Sequence, residues 1–229
     1  MKKIILQISL WTALATVAGM FTACGLDNYD EPDAQITGRV IDRNGNPVGV
    51  MGSREQVTLQ LWQPSYPLKA DAINVNVAQD GSFSTMVFDG DYVLKMRNNT
   101  GPWVNSTDSV VINVRGNTAV DFPVTPYYTL GNVTYSLNGT TLTATFTITE
   151  VTAGRSIDEV ALMVNKTQFV GFDGEVNVKK EAANSATGSQ TVTIDVSDLT
   201  AHHKLYARVG LRISGIGQGL YDTKVFEVR

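Results

Sequence analysis

The stretch Ile36-Thr37-Gly38-Arg39-Val40-Ile41-Asp42-Arg43-Asn44-Gly45-Asn46-Pro47-Val48 decides the fold of the first half of the chain. Its first six residues are rich in β-branched side chains, which favours a β-strand from Ile36 to Ile41. The dipeptide Asn44-Gly45 then accepts the positive φ angles that tight hairpin turns need. The stretch therefore predicts a strand that ends in a tight turn.

Similar short runs of β-branched and aromatic residues continue from Gln35 to Pro123, and turn residues separate them. Asp80-Gly81 and Asp89-Gly90 mark two further turns. Short strands with frequent turns predict a β-sandwich. The expected strands are Ile36–Ile41, Val57–Trp62, Ile73–Val77, Ser82–Phe88, Tyr92–Met96, Ser109–Val114 and Ala119–Pro123.

Motifs in this half resemble those of carboxypeptidase regulatory-like domains. The first runs from Gly38 to Pro47 with the pattern Gly-x-Val-x-Asp-x-x-Gly-x-Pro, and the second is Asp80-Gly81-Ser82-Phe83, followed by Gly90-Asp91-Tyr92-Val93-Leu94. Those domains are transthyretin-like sandwiches, so the resemblance implies that fold for residues 35–124. It implies no peptidase activity, because the catalytic module that such domains accompany in those enzymes is lacking here.

The second half begins after a joint with two prolines. Pro123 and Pro126 lie three residues apart and resist strand pairing, which predicts a linker over residues 125–130. Beyond it the alternation resumes, and Asn138-Gly139 predicts a hairpin. We expect a second sandwich over residues 131–229. Its expected strands are Val133–Leu137, Leu142–Ile148, Val160–Val164, Thr191–Val196, Leu205–Ile213 and Lys224–Val228.

This second sandwich resembles an immunoglobulin or fibronectin type III domain. The resemblance is carried by Asp195-Val196-Ser197-Asp198-Leu199, which leads into the strand that begins at Leu205. In fibronectin modules a tyrosine of that strand lies in phase with the core residues, whereas Tyr206 is displaced from that phase by one position. Either a bulge restores the phase or the tyrosine interaction is absent. The chain is thus expected to be all-β, with two tandem β-sandwiches, transthyretin-like and then immunoglobulin-like.

Residues 1–23 have the features of a secretory signal peptide. Lys2-Lys3 precedes an apolar run from Ile4 to Phe21, and the small-residue pattern Thr22-Ala23-Cys24 follows. A cysteine directly after the cleavage point resembles a bacterial lipobox, which implies that Cys24, the only cysteine, is lipidated and begins the mature protein. The alternative is an uncleaved membrane anchor, because the apolar run is nearly as long as a membrane-spanning helix, which needs about 20 apolar residues.

Residues 24–34 form an acidic segment behind that cysteine, too polar to bury, and are expected to act as a tether. The segment resembles the acidic stretch that sends Bacteroidota lipoproteins to the cell surface; the alternative is a solvated linker. Loss of Lys2 and Lys3 with the signal lowers the 18 Lys and Arg to 16, against 22 Asp and Glu. Without a basic stripe, binding to nucleic acid is not expected, and attachment to the membrane would come from the lipid.

The acidic start, the first sandwich, the joint Val124-Thr125-Pro126-Tyr127 and the immunoglobulin-like end together resemble an uncharacterised family of two-domain Bacteroidota surface lipoproteins. Members of that family are typically encoded beside SusC/SusD-like outer-membrane uptake systems for glycans. The resemblance implies an outer-membrane protein, lipid-anchored and facing the cell exterior, with a glycan and SusC/SusD-like proteins as partners.

Residue patterns for catalysis or metal binding are weak. His202 and His203 are adjacent, so they lack the i, i+4 spacing of paired helical metal ligands. The carboxylates at Asp158-Glu159 and at Asp89 and Asp91 have simpler explanations as turn or surface residues. The loop Asp42–Asn46 hints at calcium, but Met51 stands where a bidentate glutamate belongs. We therefore expect no enzyme, no metal and no cofactor.

Aromatic residues give the best indication of a ligand site, because sugars present apolar faces to aromatic rings and hydroxyl rims to polar groups. In the strand Val57–Trp62 the alternation places Gln60 and Trp62 on the face opposite the core, near Tyr66 of the next loop. A second set is Trp103 with Asn99 and Asn105. The alternative for both tryptophans is a structural role, covering the end or the edge of a sandwich.

The sequence therefore predicts a non-catalytic surface lipoprotein that binds glycan for a polysaccharide uptake system. The candidate ligand-binding residues are Gln60, Trp62, Tyr66, Asn99, Trp103 and Asn105. The alternative is a structural or partner-docking module with no small ligand, because the unpaired edges of sandwiches accept strands from partners.

Overall fold

The computed structural model describes residues 30–52, 57–65, 71–172 and 177–229. In this part of the chain sixteen strands and one short 3₁₀ helix, Ser197–Leu199, form two β-sandwiches. Among the residues described, no helix is long and apolar enough to cross a membrane. The expectation of an all-β chain with two tandem sandwiches is confirmed.

The first sandwich consists of two four-stranded sheets. One sheet is built around β1 (Ala34–Ile41), and the other has the order β3-β2-β5-β6. The remaining strands are β2 (Thr58–Trp62), β3 (Ile73–Asn76), β4 (Ser82–Val87), β5 (Gly90–Met96), β6 (Ser109–Val114), β7 (Thr118–Ala119) and β8 (Phe122–Pro123).

In the first sheet, β4 pairs with β1 in antiparallel fashion, whereas β7 and β8 pair with β1 in parallel. A Cβ atom on Gly38 would lie 1.7 Å from the Val120 carbonyl oxygen, so this strand approach requires a glycine. The turn predicted at Asn44-Gly45 is present, with Gly45 at φ 83°. The single strand expected over Ala119–Pro123 is divided into β7 and β8.

The second sandwich packs a three-stranded sheet, β13-β10-β9, against a five-stranded sheet in which β12, β11, β14 and β15 follow one another and β16 pairs with β14. The hairpin predicted at Asn138-Gly139 joins β9 to β10. These strands are β9 (Tyr128–Asn138), β10 (Thr141–Glu150), β11 (Ile157–Asn165), β12 (Asn177–Ala183), β13 (Gly188–Asp195), β14 (Tyr206–Ile213), β15 (Leu220–Tyr221) and β16 (Phe226–Glu227).

Two features of the second sandwich differ from the sequence prediction. β9 begins at Tyr128, inside the expected linker 125–130, because Tyr128 pairs with Glu150. β12 and β15 were not expected.

Tyr206 lies on the outer face of β14, where it packs against a cluster that includes Met51, and no register shift between β14 and β11 occurs at this residue. The tyrosine therefore stays out of the core that β14 helps to form.

The two sandwiches pack into one compact unit from Pro32 to Arg229 and share a continuous apolar core. The fully buried Arg208 of β14 links them. Its Nη1 donates to the Val50 carbonyl at 3.0 Å and its Nη2 to the Gln79 carbonyl at 2.7 Å, while Nε donates to the Asp222 carbonyl at 2.6 Å. Satisfied donors of this kind make the burial of a guanidinium tolerable.

Candidate functional site

The outward side of the β3-β2-β5-β6 sheet forms a surface that we call the tryptophan face. Leu59 and Leu61 point into the core and are buried, so alternation directs Gln60 and Trp62 outward. The strand register places residues of β5 and β6 beside these two side chains. The tryptophan face consists of Gln60, Trp62, Val93, Lys95 and Val111.

Trp62 is half-buried at the centre of this face and pairs across strands with Val93. The Lys95 Nζ atom lies 5.9 Å from the centroid of the indole ring, close to the outer limit for a cation–π contact. The contact is therefore a weak one. The indole Nε1 is buried and finds no acceptor among the described residues.

Val111 completes the face at its edge. It pairs with Val93 and is 77% exposed, which leaves an apolar strip from β2 across to the last strand of the sheet. On the same side, Asn113 of β6 donates a hydrogen bond to Asp91 of β5. The face thus combines one aromatic surface, apolar neighbours and polar groups at its rim. Tyr66, expected beside Trp62, lies outside the described residues.

A second location brings together the other three sequence candidates. Asn99, Trp103 and Asn105 line a cleft with Tyr127, Arg155 and Gln218 of the second sandwich. We call it the amide cleft; its volume is about 80 Å³. It lies on the loop beyond the C-terminal end of β5, so these residues do not join Gln60 and Trp62 in one surface.

Trp103 does not offer the accessible indole surface that the sequence suggested, because it is only 2% exposed. Its backbone forms an isolated β-bridge with Pro126, and its side chain belongs to the shared apolar core. Gly101 lies against the ring: a Cβ atom there would be 2.2 Å from the indole. Trp103 therefore supports the floor of the amide cleft and has the structural role that was the alternative.

Asn99 and Asn105 bond mainly to each other. The Asn99 backbone N–H donates to Asn105 Oδ1 at 2.9 Å, and Asn105 Nδ2 donates to Asn99 Oδ1 at 2.8 Å. Asn99 has φ of 62°, a left-handed conformation that asparagine tolerates. The pair fixes the loop, and both side chains remain exposed at the mouth of the cleft.

A larger cavity of about 440 Å³ lies where the two sandwiches meet, lined in part by Asp42, Asn46, Asn132 and Asp222. Its carboxylates already have partners. Asp42 Oδ1 accepts from the backbone N–H groups of Asn44 and Asn46 at 2.8 and 2.9 Å, which closes the turn that resembled a calcium loop.

Asp222 Oδ2 accepts from the Tyr135 hydroxyl at 2.9 Å, and burial raises the pKa of both groups. No cluster of three metal-ligating His, Cys, Asp or Glu residues occurs in the described part of the chain. Glu159 is paired with Lys180 at 2.6 Å, and His203 is exposed in a turn. Asp42 therefore stabilises a turn, Glu159 forms an ion pair, and Asp222 lies at the junction between the sandwiches.

Sequence reasoning missed residues on both surfaces. Val93, Lys95 and Val111 could have been found by aligning the expected strands, since the alternation that exposes Trp62 exposes them too. Tyr127, Arg155 and Gln218 had no local signal, because they reach the amide cleft only when the second sandwich packs against the first.

Comparison with known proteins gives two family matches. Residues 34–125 match the N-terminal domain described as "Protein of unknown function (DUF3823)", and residues 128–225 match "Domain of unknown function (DUF3823_C)". None of the curated proteins matches the chain at a significant level.

Solved structures resemble the chain over nearly all of their length. A DUF3823 family protein from Parabacteroides merdae is 36% identical, with a TM-score of 0.77, and the match covers 87% of this chain and 100% of that one. One from Bacteroides ovatus is 33% identical, with a TM-score of 0.73 and coverage of 85% and 97%. A protein from Bacteroides uniformis, described as a candidate carbohydrate binding protein, is 21% identical, with a TM-score of 0.66 and coverage of 86% and 99%.

Proposed function

The chain belongs to the DUF3823 family, and we propose that it is a non-catalytic glycan-binding protein of the outer membrane. In this proposal Cys24 carries the lipid, the protein faces the cell exterior, and it serves a SusC/SusD-like uptake system as an accessory component. The B. uniformis relative described as a candidate carbohydrate binding protein is consistent with this function.

The observation that carries the proposal is the outward position of Trp62 on the tryptophan face. An indole ring beside apolar Val93 and Val111 suits the C–H face of a sugar, and Gln60 and Lys95 can bind its hydroxyl groups. Adjacent strands lie about 4.8 Å apart, so the face presents several contact rows to an extended polysaccharide.

Titration of the purified protein with plant and host polysaccharides tests the glycan-binding function, with isothermal titration calorimetry as the readout because Trp62→Ala would remove a fluorescent reporter. We expect a saturable change that Trp62→Ala removes. Phe169→Ala is the matched control, since it removes a 51% exposed aromatic side chain from the other sandwich and should leave binding intact. No response to any glycan, or equal responses from the wild type and Trp62→Ala, would contradict the proposal.

The membrane attachment has its own test. Cys24→Ser should shift the protein from the membrane fraction to the soluble fraction of cells and abolish labelling by fatty acid. Added protease should digest the wild-type protein in intact cells if it faces outward. Retention of the variant in the membrane would instead favour the uncleaved anchor.

A partner-docking function is favoured by one specific observation. Met86 of β4 and Phe88, directly after that strand, are each 52% exposed, and among the named strands β4 pairs only with β1. An edge strand with two exposed apolar side chains suits a protein partner. Mild detergent extraction should then recover a partner with the wild type and lose it with Met86→Ser/Phe88→Ser.

A further inference from the structure

Arg155 is a cation without a carboxylate partner at the rim of the amide cleft. Its Nη1 donates to the Ser214 carbonyl at 2.9 Å, and its guanidinium carbon lies 5.7 Å from the centroid of the Tyr127 ring. Within the described residues, no acidic side chain comes within ion-pair distance of it. A guanidinium has five N–H donors, so most of them stay available to a ligand.

Two glycines shape the cleft around this arginine. A Cβ atom on Gly215, whose φ is 70°, would lie 2.3 Å from Arg155 Nη1, and one on Gly101 would strike Trp103. A side chain at either position would therefore displace the cation or the floor of the cleft. Tyr128 adds a further restraint, because its hydroxyl donates to the Arg155 carbonyl. Ser214 and Gly215 thus lie against the guanidinium, and Tyr128 holds the backbone of the same residue.

The size of the cleft limits what it can hold. The space open to the centre of a water-sized sphere is only about 80 Å³ here, against about 440 Å³ in the cavity lined by Asp42 and Asp222. A compact group such as a carboxylate or a sulfate suits so small a recess better than a whole sugar ring does. The side chains of Asn99 and Asn105 line the same cleft, are exposed at its mouth and can bind the hydroxyl groups next to such an anion.

The net charge of the protein would not by itself favour binding of an acidic glycan. The chain carries a net charge of −4, so it repels polyanions on average. Any preference for an acidic ligand must arise locally, and the planar fork of an arginine matches the geometry of carboxylate and sulfate oxygens.

We infer that the amide cleft binds the anionic group of an acidic glycan, with Arg155 as the residue that pairs with it. The inference rests on the proposed function in that the ligand is a glycan. It adds a substrate class, namely polysaccharides that carry uronic acid carboxylates or sulfate esters. The tryptophan face would contact the sugar faces, and the cleft would select the charge.

The test compares affinities of the full protein for polygalacturonate, for chondroitin sulfate and for a neutral glucan. We expect the wild type to prefer an acidic glycan by about tenfold or more, because hydrogen bonds to charged groups are among the strong ones. Arg155→Gln should abolish that preference, and Arg155→Lys should keep only part of it. Lys166→Gln is the control, since it removes one exposed positive charge remote from the cleft.

The source of the anion follows from which acidic glycan binds. Preference for polygalacturonate assigns the site to carboxylates, and preference for chondroitin sulfate that is lost on desulfation assigns it to sulfate esters. Equal affinity for acidic and neutral glycans, unchanged in Arg155→Gln, would overturn the inference.

Failure of the proposed function can be told apart from failure of this inference. Trp62→Ala should weaken binding of neutral and acidic glycans alike, whereas Arg155→Gln should affect only the acidic ones. If no polysaccharide binds, free galacturonate and inorganic sulfate are titrated while the NMR signal of Arg155 Nε–H is followed. A saturable shift with either ion supports the cleft on its own, and no shift with both overturns it.

Discussion

At the scale of single residues, Asp222 couples the junction between the sandwiches to pH. Burial raises the pKa of this carboxyl above its ordinary value of 3.8, against the opposing hydrogen bond from Tyr135. A group whose pKa is higher in the folded state contributes stability that is fully present below its unfolded pKa and is lost as pH rises through its folded pKa. The ionised Asp222 carboxylate therefore lowers the free energy of unfolding near neutral pH.

Asp222→Asn should remove this dependence, because the amide does not ionise. We expect the free energy of unfolding of the wild type, relative to the variant, to fall as pH is raised from about 4 to 7. Urea unfolding at several pH values measures it, with exposed Asp158→Asn as the control. Parallel profiles for wild type and Asp222→Asn would contradict the assignment.

Gly38 tests how closely β1 and the segment before β8 approach. A Cβ atom at this position would lie 1.7 Å from the Val120 carbonyl oxygen, so Gly38→Ala must separate the two backbones. We expect a loss of about 1–3 kcal/mol or more in the free energy of unfolding. Gly131→Ala is the matched control, because no atom lies within 4 Å of the added carbon. Similar stabilities for the two variants in denaturant titrations would refute this role.

At the scale of elements, β6 shows how strictly alternation separates its two faces. Val111 is 77% exposed, whereas its neighbour Ile112 is 4% exposed. Val111→Asn should change the free energy of unfolding by less than about 0.5 kcal/mol, and Ile112→Ala should reduce it by about 2–4 kcal/mol. Denaturant unfolding of both variants provides the measurement. Comparable losses would mean that the register of β6 is wrong.

Strands were predictable where local alternation is strong. β10 buries every second residue from Leu142 to Ile148, and the sequence predicted it. β12 has the sequence Asn-Val-Lys-Lys-Glu-Ala-Ala and no fully buried residue, because it covers the edge of its sheet. Its pairing with β11 is a tertiary contact, for which seven mostly polar residues give no signal.

The candidate site was predictable to the same extent. Alternation in β2 was sufficient to turn Gln60 and Trp62 outward, since Leu59 and Leu61 must face the core. It was not sufficient for Trp103, which is buried in the shared core and whose backbone bridges to Pro126, 23 positions further along the chain. The polar residues next to Trp103 in the sequence therefore predicted an exposed side chain, whereas it is buried.

At the scale of the whole molecule, Arg208 should determine whether the sandwiches stay together. Arg208→Ala leaves the carbonyls of Val50 and Gln79 without these donors and removes a fully buried side chain. We expect a loss of about 3 kcal/mol or more, the range for breaking a buried charged network. Exposed Arg43→Ala should have little effect. Equal midpoints for the two variants in thermal unfolding would show that Arg208 is dispensable.

The shared core has a consequence for avidity. Since the two sandwiches form one compact unit, the tryptophan face and the amide cleft cannot drift apart as modules on a flexible linker would. A polysaccharide held at one of them meets the other at a high effective concentration, provided that its length spans the gap. Along β5 and its following loop, from Val93 to Asn99, that gap is at most about 20 Å at about 3.3 Å per residue. Short oligosaccharides should thus bind far more weakly than long chains that reach both.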